Sequence, residues 1–290
     1  MTRKLRLHIE KLSAKPSHMH LTQEVYDAAA THHREAAALL DVTSGWDGRD
    51  FAASMKTADI LFASLGFPQD NLADIAPNLK YIFVPSAGVK GFMPFDWLPG
   101  GVAFTNNSGT HCPRAVEYAA MSFLALNNKL PTVVTSQCKA QWNPVFSSEI
   151  AGKTALIFGF GQIGQAAAEA ARRFGMRVIG VRRSAAAHEL ADEMHPLPAL
   201  PGLLPRADFL LIAAPSTPET HGAIGAAELD LMKPGAGIVN MGRSAVMDYD
   251  ALRAAEIGPY WRRDPGCLRH RTLAAGIADL DDAEPHCYAA

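Results

Sequence analysis

Cysteine is scarce in this 290-residue chain. Its four positions, Cys112, Cys138, Cys267 and Cys287, form neither a Cys-x-x-Cys pair nor any metal-ligand spacing. That excludes a disulfide scaffold or a zinc cluster as the basis of the fold and predicts reduced thiols. Charge of either sign is nearly balanced, with a net of −2. The chain therefore carries no electrostatic footprint for nucleic acid or an anionic membrane. Apolar runs long enough to cross a bilayer are missing. The opening stretch MTRKLRLHIEKL has basic residues but no apolar core of signal-peptide length. No fixed-period repeat or low-complexity segment is present. These absences predict a soluble cytoplasmic protein with neither a nucleic-acid nor a membrane partner.

What the chain does have is apolar content, 48% of its residues, enough for a sizeable core and two domains. In the first hundred residues short β-like runs, LRLHI (5–9), DVTSG (41–45), DILFASL (59–65) and LKYIFVP (79–85), alternate with helical stretches at 22–40 and 69–78. Alternation of this kind implies a parallel sheet covered by helices. His32 and His33 fall in the first helical stretch with no third ligand at a sensible spacing, so a solvated helix face is favoured over a metal role. From Pro113 to Leu130 the sequence reads as a helix with proline in its first turn, where the missing N–H costs nothing. Residues 131–150 read as a connecting arm. A second alternating series follows: KTALIFGFGQIG, MRVIGVRR, ADFLLIAAP and GAGIVNMG.

The densest signal lies in that second series. The β-like run Thr154–Phe158 leads directly into Gly159-Phe-Gly161-Gln162-Ile163-Gly164 and then an Ala-rich helix. In a strand–turn–helix unit the first glycine permits the tight turn, the second lets a pyrophosphate approach the backbone, and the third lets the helix pack on its strand. The helix N-terminus adds unpaired N–H groups and the positive dipole end. Glycine clusters also mark plain turns; it is the strand before and the helix after that favour a dinucleotide site. The next strand, RVIGV, ends in Arg182, Arg183 and Ser184, where an acidic residue would bind a ribose 2′-hydroxyl. Two guanidinium groups and a hydroxyl suit a 2′-phosphate, which favours NADP(H) over NAD(H), the alternative being a solvated loop.

Residues 204–248, LPRADFLLIAAPSTPETHGAIGAAELDLMKPGAGIVNMGRSAVMD, closely resemble the D-isomer-specific 2-hydroxyacid dehydrogenases, most of all their glyoxylate/hydroxypyruvate reductase branch. VPSAGVKGF (84–92) and NNSGTHCPRAVEYA (106–119) resemble that family's substrate loop and interdomain helix. The resemblance implies an α/β fold of two Rossmann-like, doubly wound domains around a cleft, reducing a small 2-oxo acid such as glyoxylate or hydroxypyruvate. It places Arg243 at the catalytic arginine position, clamping the substrate carboxylate and carbonyl oxygens. Gly88 and Val89 would offer backbone N–H groups to the carboxylate, and Pro215, Thr220 and Gly242 would border the cofactor. Lys90 stands where the family often has Asp, and Ser244 replaces a usual Gly. The family commonly forms homodimers through the arm at 131–150, which would bury Trp142 and Phe146.

Two further family groups, an acid histidine and the glutamate that orients it, should follow Arg243 within patterns like EPLP and TPH. Neither pattern occurs, and beyond Ala255 the sequence has no usable periodicity. Read one base later, with free choice among synonymous codons, Ala255–Ala290 can encode a stretch containing DVFDTEPLPP and ending in TPH. Arg271 then yields the glutamate and the last codon the histidine. We therefore expect residues 256–290 to be an out-of-frame tail, leaving the cofactor domain without its final strand and the enzyme impaired. A non-catalytic NADP(H)-binding protein and a decayed gene product are the alternatives. The domain reading is 1–110 for substrate, 111–255 for cofactor including the helix at 113–130, and 256–290 anomalous.

Overall fold

The computed structural model describes residues 3–17, 20–254 and 272–274. The chain divides into two compact units, one up to Thr110 and one from His111. The first contains β1 (Leu5–Lys11), α1 (Gln23–His32), α2 (Arg34–Ala38), β2 (Leu40–Trp46), α3 (Phe51–Met55), β3 (Ile60–Ala63), α4 (Leu72–Ile75), β4 (Tyr81–Val84) and β5 (Ala103–Asn106). Its strands form an all-parallel sheet in the order β2-β1-β3-β4-β5. One face of that sheet presents Leu61, Ala63, Ile82 and Val84 to Phe51 and Met55 of α3, Leu72 of α4, and Phe67 and Phe92. The helix expected over 22–40 is broken at His33, which caps the end of α1 and the start of α2. Neither piece buries a side chain, so no packing face holds them in one line. His32 and His33 are both exposed.

The second unit contains α5 (Cys112–Asn127), α6 (Leu130–Cys138), β6 (Thr154–Phe158), α7 (Gln162–Arg173), β7 (Arg177–Val181), β8 (Glu193–His195), α8 (Leu200–Leu203), β9 (Phe209–Ile212), α9 (Ala226–Asp230), β10 (Gly237–Asn240), α10 (Tyr249–Ala254) and β11 (Thr272–Ala274). Its sheet is also parallel throughout, ordered β11-β10-β9-β6-β7-β8. Alternate residues of the central strands feed two cores. Leu156, Phe158, Leu210, Ile212 and Ile238 enter one; Ala155, Ile157, Phe209, Leu211 and Val239 enter the other. α7 approaches the second core closely because the residues it buries, Gly164, Ala166, Ala167, Ala168, Ala170 and Ala171, are all small. α5, with Pro113 in its first turn, packs against the same core through Ala115, Ala119 and Phe123.

Part of the expected arm is helical: α6 covers Leu130–Cys138, and 139–149 has no regular structure. At the other end, Ile238–Asn240 of β10 pair with Thr272–Ala274. The edge expected to stand bare along β10 thus carries three residues of the anomalous stretch. A parallel edge offers unpaired N–H and C=O groups to any extended segment, whatever its side chains. The other residues of 256–290, with Cys267 and Cys287, lie outside the described residues.

Candidate active site

The glycine loop follows β6 at the C-terminal edge of the second sheet. Gly159 sits at φ 99°, and a Cβ there would lie 2.3 Å from the Ala214 backbone nitrogen. Its N–H donates to the Val181 carbonyl at 2.9 Å. A Cβ on Gly164 would lie 2.0 Å from the Gly159 carbonyl oxygen, so α7 can touch its strand only through glycine. Gly161 differs from both: a Cβ there meets nothing within 4 Å. Exposed Gly161 is the N-cap of α7 and supplies no side chain to it. Among the described residues nothing accepts the N–H groups of Gln162, Ile163 or Gly164; the first helical bond is Gln165 N–H to the Gly161 carbonyl at 2.8 Å. The loop is a backbone cradle with open space in front of it, which fits a pyrophosphate.

Gln162 is exposed and Ile163 half-buried against the α5–α7 core. The Cys112 thiol donates to Gln162 Oε1 at 3.4 Å. Burial, and then the charge of Glu169, push that thiol above its ordinary pKa, so it is a hydrogen-bond donor and a poor nucleophile.

Beyond β7, Arg182 is half-buried and spends much of its side chain on its own loop. Its Nη2 donates to the Ala186 carbonyl at 2.7 Å, while its buried Nε has no partner among the described residues. Arg183 and Ser184 are exposed, and Ala185 closes the turn at φ 48°. Glu219, after β9, is held below the usual carboxylate range by the Thr217 hydroxyl, then by its own backbone N–H, with a smaller contribution from the charge of Arg183. Pro215 is exposed. Its carbonyl accepts the Thr220 hydroxyl at 2.5 Å, and Thr220 Oγ1 accepts the Thr217 N–H at 2.9 Å. Thr220 therefore shapes this loop from within.

Arg243 follows β10 at the same sheet edge. A Cβ on Gly242 would lie 2.6 Å from the Ala214 carbonyl oxygen, which presses this turn against the end of β9. Downstream, Gly222 N–H donates to Ala245 O and Ile224 N–H to Val246 O, at 2.8 and 3.1 Å. Arg243 is half-buried, and its Nη1 donates to the Gly242 carbonyl at 3.3 Å. No carboxylate pairs with its guanidinium among the described residues.

Gly88 and Val89 belong to the first unit, in the loop after β4. Asn106 Nδ2 donates to the Ala87 carbonyl at 2.6 Å and Asn107 N–H to the Ser86 carbonyl at 3.1 Å, pinning the loop to the end of β5. The Gly88 and Val89 N–H groups have no acceptor among the described residues. Of the residues expected at a site, the glycine loop, the 182–184 turn, Pro215, Thr220, Gly242 and Arg243 gather at one edge of the second sheet. Sequence reading missed Glu219, Asn106 and Asn240; only the Asn-x-x-Arg spacing of Asn240 and Arg243 hinted at the last.

Fold and loop together define a class: a parallel α/β protein with a dinucleotide-type glycine turn and, at the same sheet edge, an arginine with no carboxylate partner among the described residues. Residues 120–256 match the family model "D-isomer specific 2-hydroxyacid dehydrogenase, NAD binding domain". The chain is 44% identical over 225 residues to a glyoxylate reductase of Thermococcus gammatolerans, covering 73% of this chain and 63% of that protein. It is 30% identical over 241 residues to a glyoxylate reductase of Korarchaeum cryptofilum, covering 80% and 68%. A D-isomer-specific 2-hydroxyacid dehydrogenase of Xanthobacter autotrophicus, solved with NADPH and MES, superposes with TM-score 0.71 at 24% identity over 98% of this chain and 84% of that one. The chain belongs to the D-isomer-specific 2-hydroxyacid dehydrogenase family. It spans 63% to 64% of the length of the three Thermococcus relatives.

Proposed function

We propose that this chain descends from an NADP(H)-preferring reductase of small 2-oxo acids, glyoxylate or hydroxypyruvate, acting in the cytoplasm. The observation that carries this reading is the set of N–H groups of Gln162, Ile163 and Gly164 without an acceptor among the described residues, over open space at Gly161, on the same sheet edge as Arg243. Bound reduced nicotinamide supplies the hydride for the 2-oxo carbon. Arg243 holds the carboxylate and carbonyl oxygens in the bidentate geometry a guanidinium favours. Gly88 and Val89 offer their N–H groups to the carboxylate. Gly159, Gly161 and Gly164 shape the pyrophosphate cradle, and Arg182, Arg183 and Ser184 receive the 2′-phosphate. The NADPH complex of the Xanthobacter protein supports the NADP(H) assignment at the level of fold. Replacing Arg182 by Asp is expected to lower the NADPH-to-NADH affinity ratio about tenfold or more, each lost charge-assisted bond being worth about 1.5–3 kcal/mol; an unchanged ratio rejects the assignment.

Turnover by the 290-residue chain is expected to be low. The sequence after Arg243 lacks the family's histidine and glutamate patterns, and loss of a general acid typically costs about 10² to 10⁴ in rate. Easily measured NADPH oxidation with glyoxylate by the purified chain would reject this. The missing patterns favour a second reading, a non-catalytic NADP(H)-binding protein, which predicts saturable NADPH binding by calorimetry without turnover. Resequencing the DNA from codon 250 past the stop tests the out-of-frame tail: a trace that restores the two patterns returns the acid and its orienting carboxylate.

The chain pairs as a homodimer through 131–150. Trp142 is 93% exposed and Phe146 84%, and Leu130, Val133 and Val134 of the neighbouring α6 are exposed too; large apolar side chains left in solvent are of the kind that marks an interface. Sedimentation of Trp142→Glu/Phe146→Glu should give a monomer where the parent chain gives a dimer; a monomeric parent rejects the pairing.

A further inference from the structure

Asn240 ends β10 and is 6% exposed, one of few polar side chains buried among the described residues of the second unit. Its strand neighbour on the same face, Ile238, enters the apolar core that Tyr249 of α10 also packs against. An amide in such a place is costly unless its hydrogen bonds are made. Here Oδ1 accepts the Gly242 N–H at 2.9 Å, and Nδ2 donates to the Arg243 carbonyl at 3.3 Å and to the Tyr249 hydroxyl at 2.9 Å. A backbone donor on one side and a backbone acceptor on the other leave one orientation of the amide that satisfies both. The two backbone groups it grips lie on either side of the Arg243 Cα. The same turn packs close to the end of β9, where a Cβ on Gly242 would lie 2.6 Å from the Ala214 carbonyl oxygen.

We propose that Asn240, locked by Tyr249, is the positioning residue for Arg243: it sets the direction in which the guanidinium leaves the backbone, and so the alignment of the substrate carboxylate. The proposal rests on the reading of Arg243 as the carboxylate anchor. A bidentate clamp tolerates little displacement, about 1 Å of misplacement costing on the order of 100-fold in a positioned reaction. Asn240 itself touches no substrate; it acts through the turn.

The test uses the 290-residue chain labelled with ¹⁵N-arginine, saturated with NADPH and titrated calorimetrically with the 2-oxo acid analogue oxamate. Arg243→Lys identifies the Arg243 Nε–Hε resonance, and Arg243→Ala sets the loss expected when the anchor is gone. Asn240→Ala should weaken oxamate about tenfold or more, leave NADPH affinity within about twofold, and split or broaden the Arg243 resonance. Asn240→Asp keeps the shape and the acceptor for Gly242 but has no donor for the Arg243 carbonyl at neutral pH, so it should behave the same way even if the alanine variant folds poorly. Tyr249→Phe should shift both readouts less, in the same direction. A purely structural role would lower the melting temperature and both affinities together. If the Arg243 resonance and oxamate affinity are unchanged in both Asn240 variants, the proposal is overturned. If Arg243→Ala leaves oxamate binding intact, the carboxylate-anchor reading fails instead, and the resonance still decides whether Asn240 positions the arginine.

Discussion

The two sheets of this protein are both parallel, yet they are covered very differently. In the second unit β6, β7, β9 and β10 are buried along nearly their whole lengths and feed cores on both faces. In the first, the face carrying Leu61 and Ile82 is closed, while on the other Leu5 and Tyr81 are exposed and Ile60, Phe62 and Phe83 only half-buried. The helices α1 and α2 bury nothing. A strand covered on both sides must be apolar throughout, which is why TALIF, RVIGV and FLLI read as unbroken runs and LRLHIEK does not. The precise end of the molecule is therefore the second unit, where the glycine loop and Arg243 stand on a fully packed sheet. Rigid support of this kind is what a positioned site needs.

The strongest way to break that contrast is Gly164→Ala. Its Cβ would collide with the Gly159 carbonyl, so we expect a loss of about 3 kcal/mol or more and of all nucleotide binding, read by urea unfolding and NADPH titration. A variant as stable as its parent would mean that α7 stands further from β6. Next comes a matched pair: Leu211→Ala in the doubly covered sheet should cost about 2–5 kcal/mol, and Phe62→Ala on the open face about 1. Equal costs would show that the open face of the first sheet is covered in solution.

The smallest effect lies at the edge of the second sheet, where Glu193 of β8 takes Arg177 and Arg206 at 2.5 Å and His195 at 3.0 Å. Its carboxyl is lowered to about 2, by Arg206 first and then His195, with Arg177 adding to it. A depressed carboxyl stabilises the fold above its unfolded pKa, and that stability is lost as pH falls from about 4.5 towards 2. Glu193→Gln should cost about 1 kcal/mol at pH 7, since its partners are largely exposed, and the two unfolding curves should converge in acid. A gap that persists at pH 2 would place the cost in packing and not in charge.

Much of this was legible in the chain. Long apolar runs and the glycine turn announce themselves through strong local preferences, so the alternating order and the strand–loop–helix of 154–173 follow from short windows. β5 and β8, of four and three residues, have too little pattern to stand out. The break at His33 and the helix α6 fall in segments that bury no side chain, so they leave no apolar face for a short window to register. The sequence offers Arg182 for a 2′-phosphate; that its Nη2 also donates to the Ala186 carbonyl is a detail of the turn that the motif does not carry.

The sequence by itself determined the α/β class, the family and the identities of Gly159, Gly161, Gly164 and Arg243, because each answers a backbone or charge requirement local to its motif. Only the tertiary structure decided that Gly161 faces open space while Gly159 and Gly164 are pressed against backbone. It alone put Asn240 between Tyr249 and the turn that carries Arg243. Gly159 meets Ala214 through the strand order, from more than fifty residues away; the Asn240 and Gly164 contacts lie close by in the chain, but depend on how turn and helix pack, which the letters do not state.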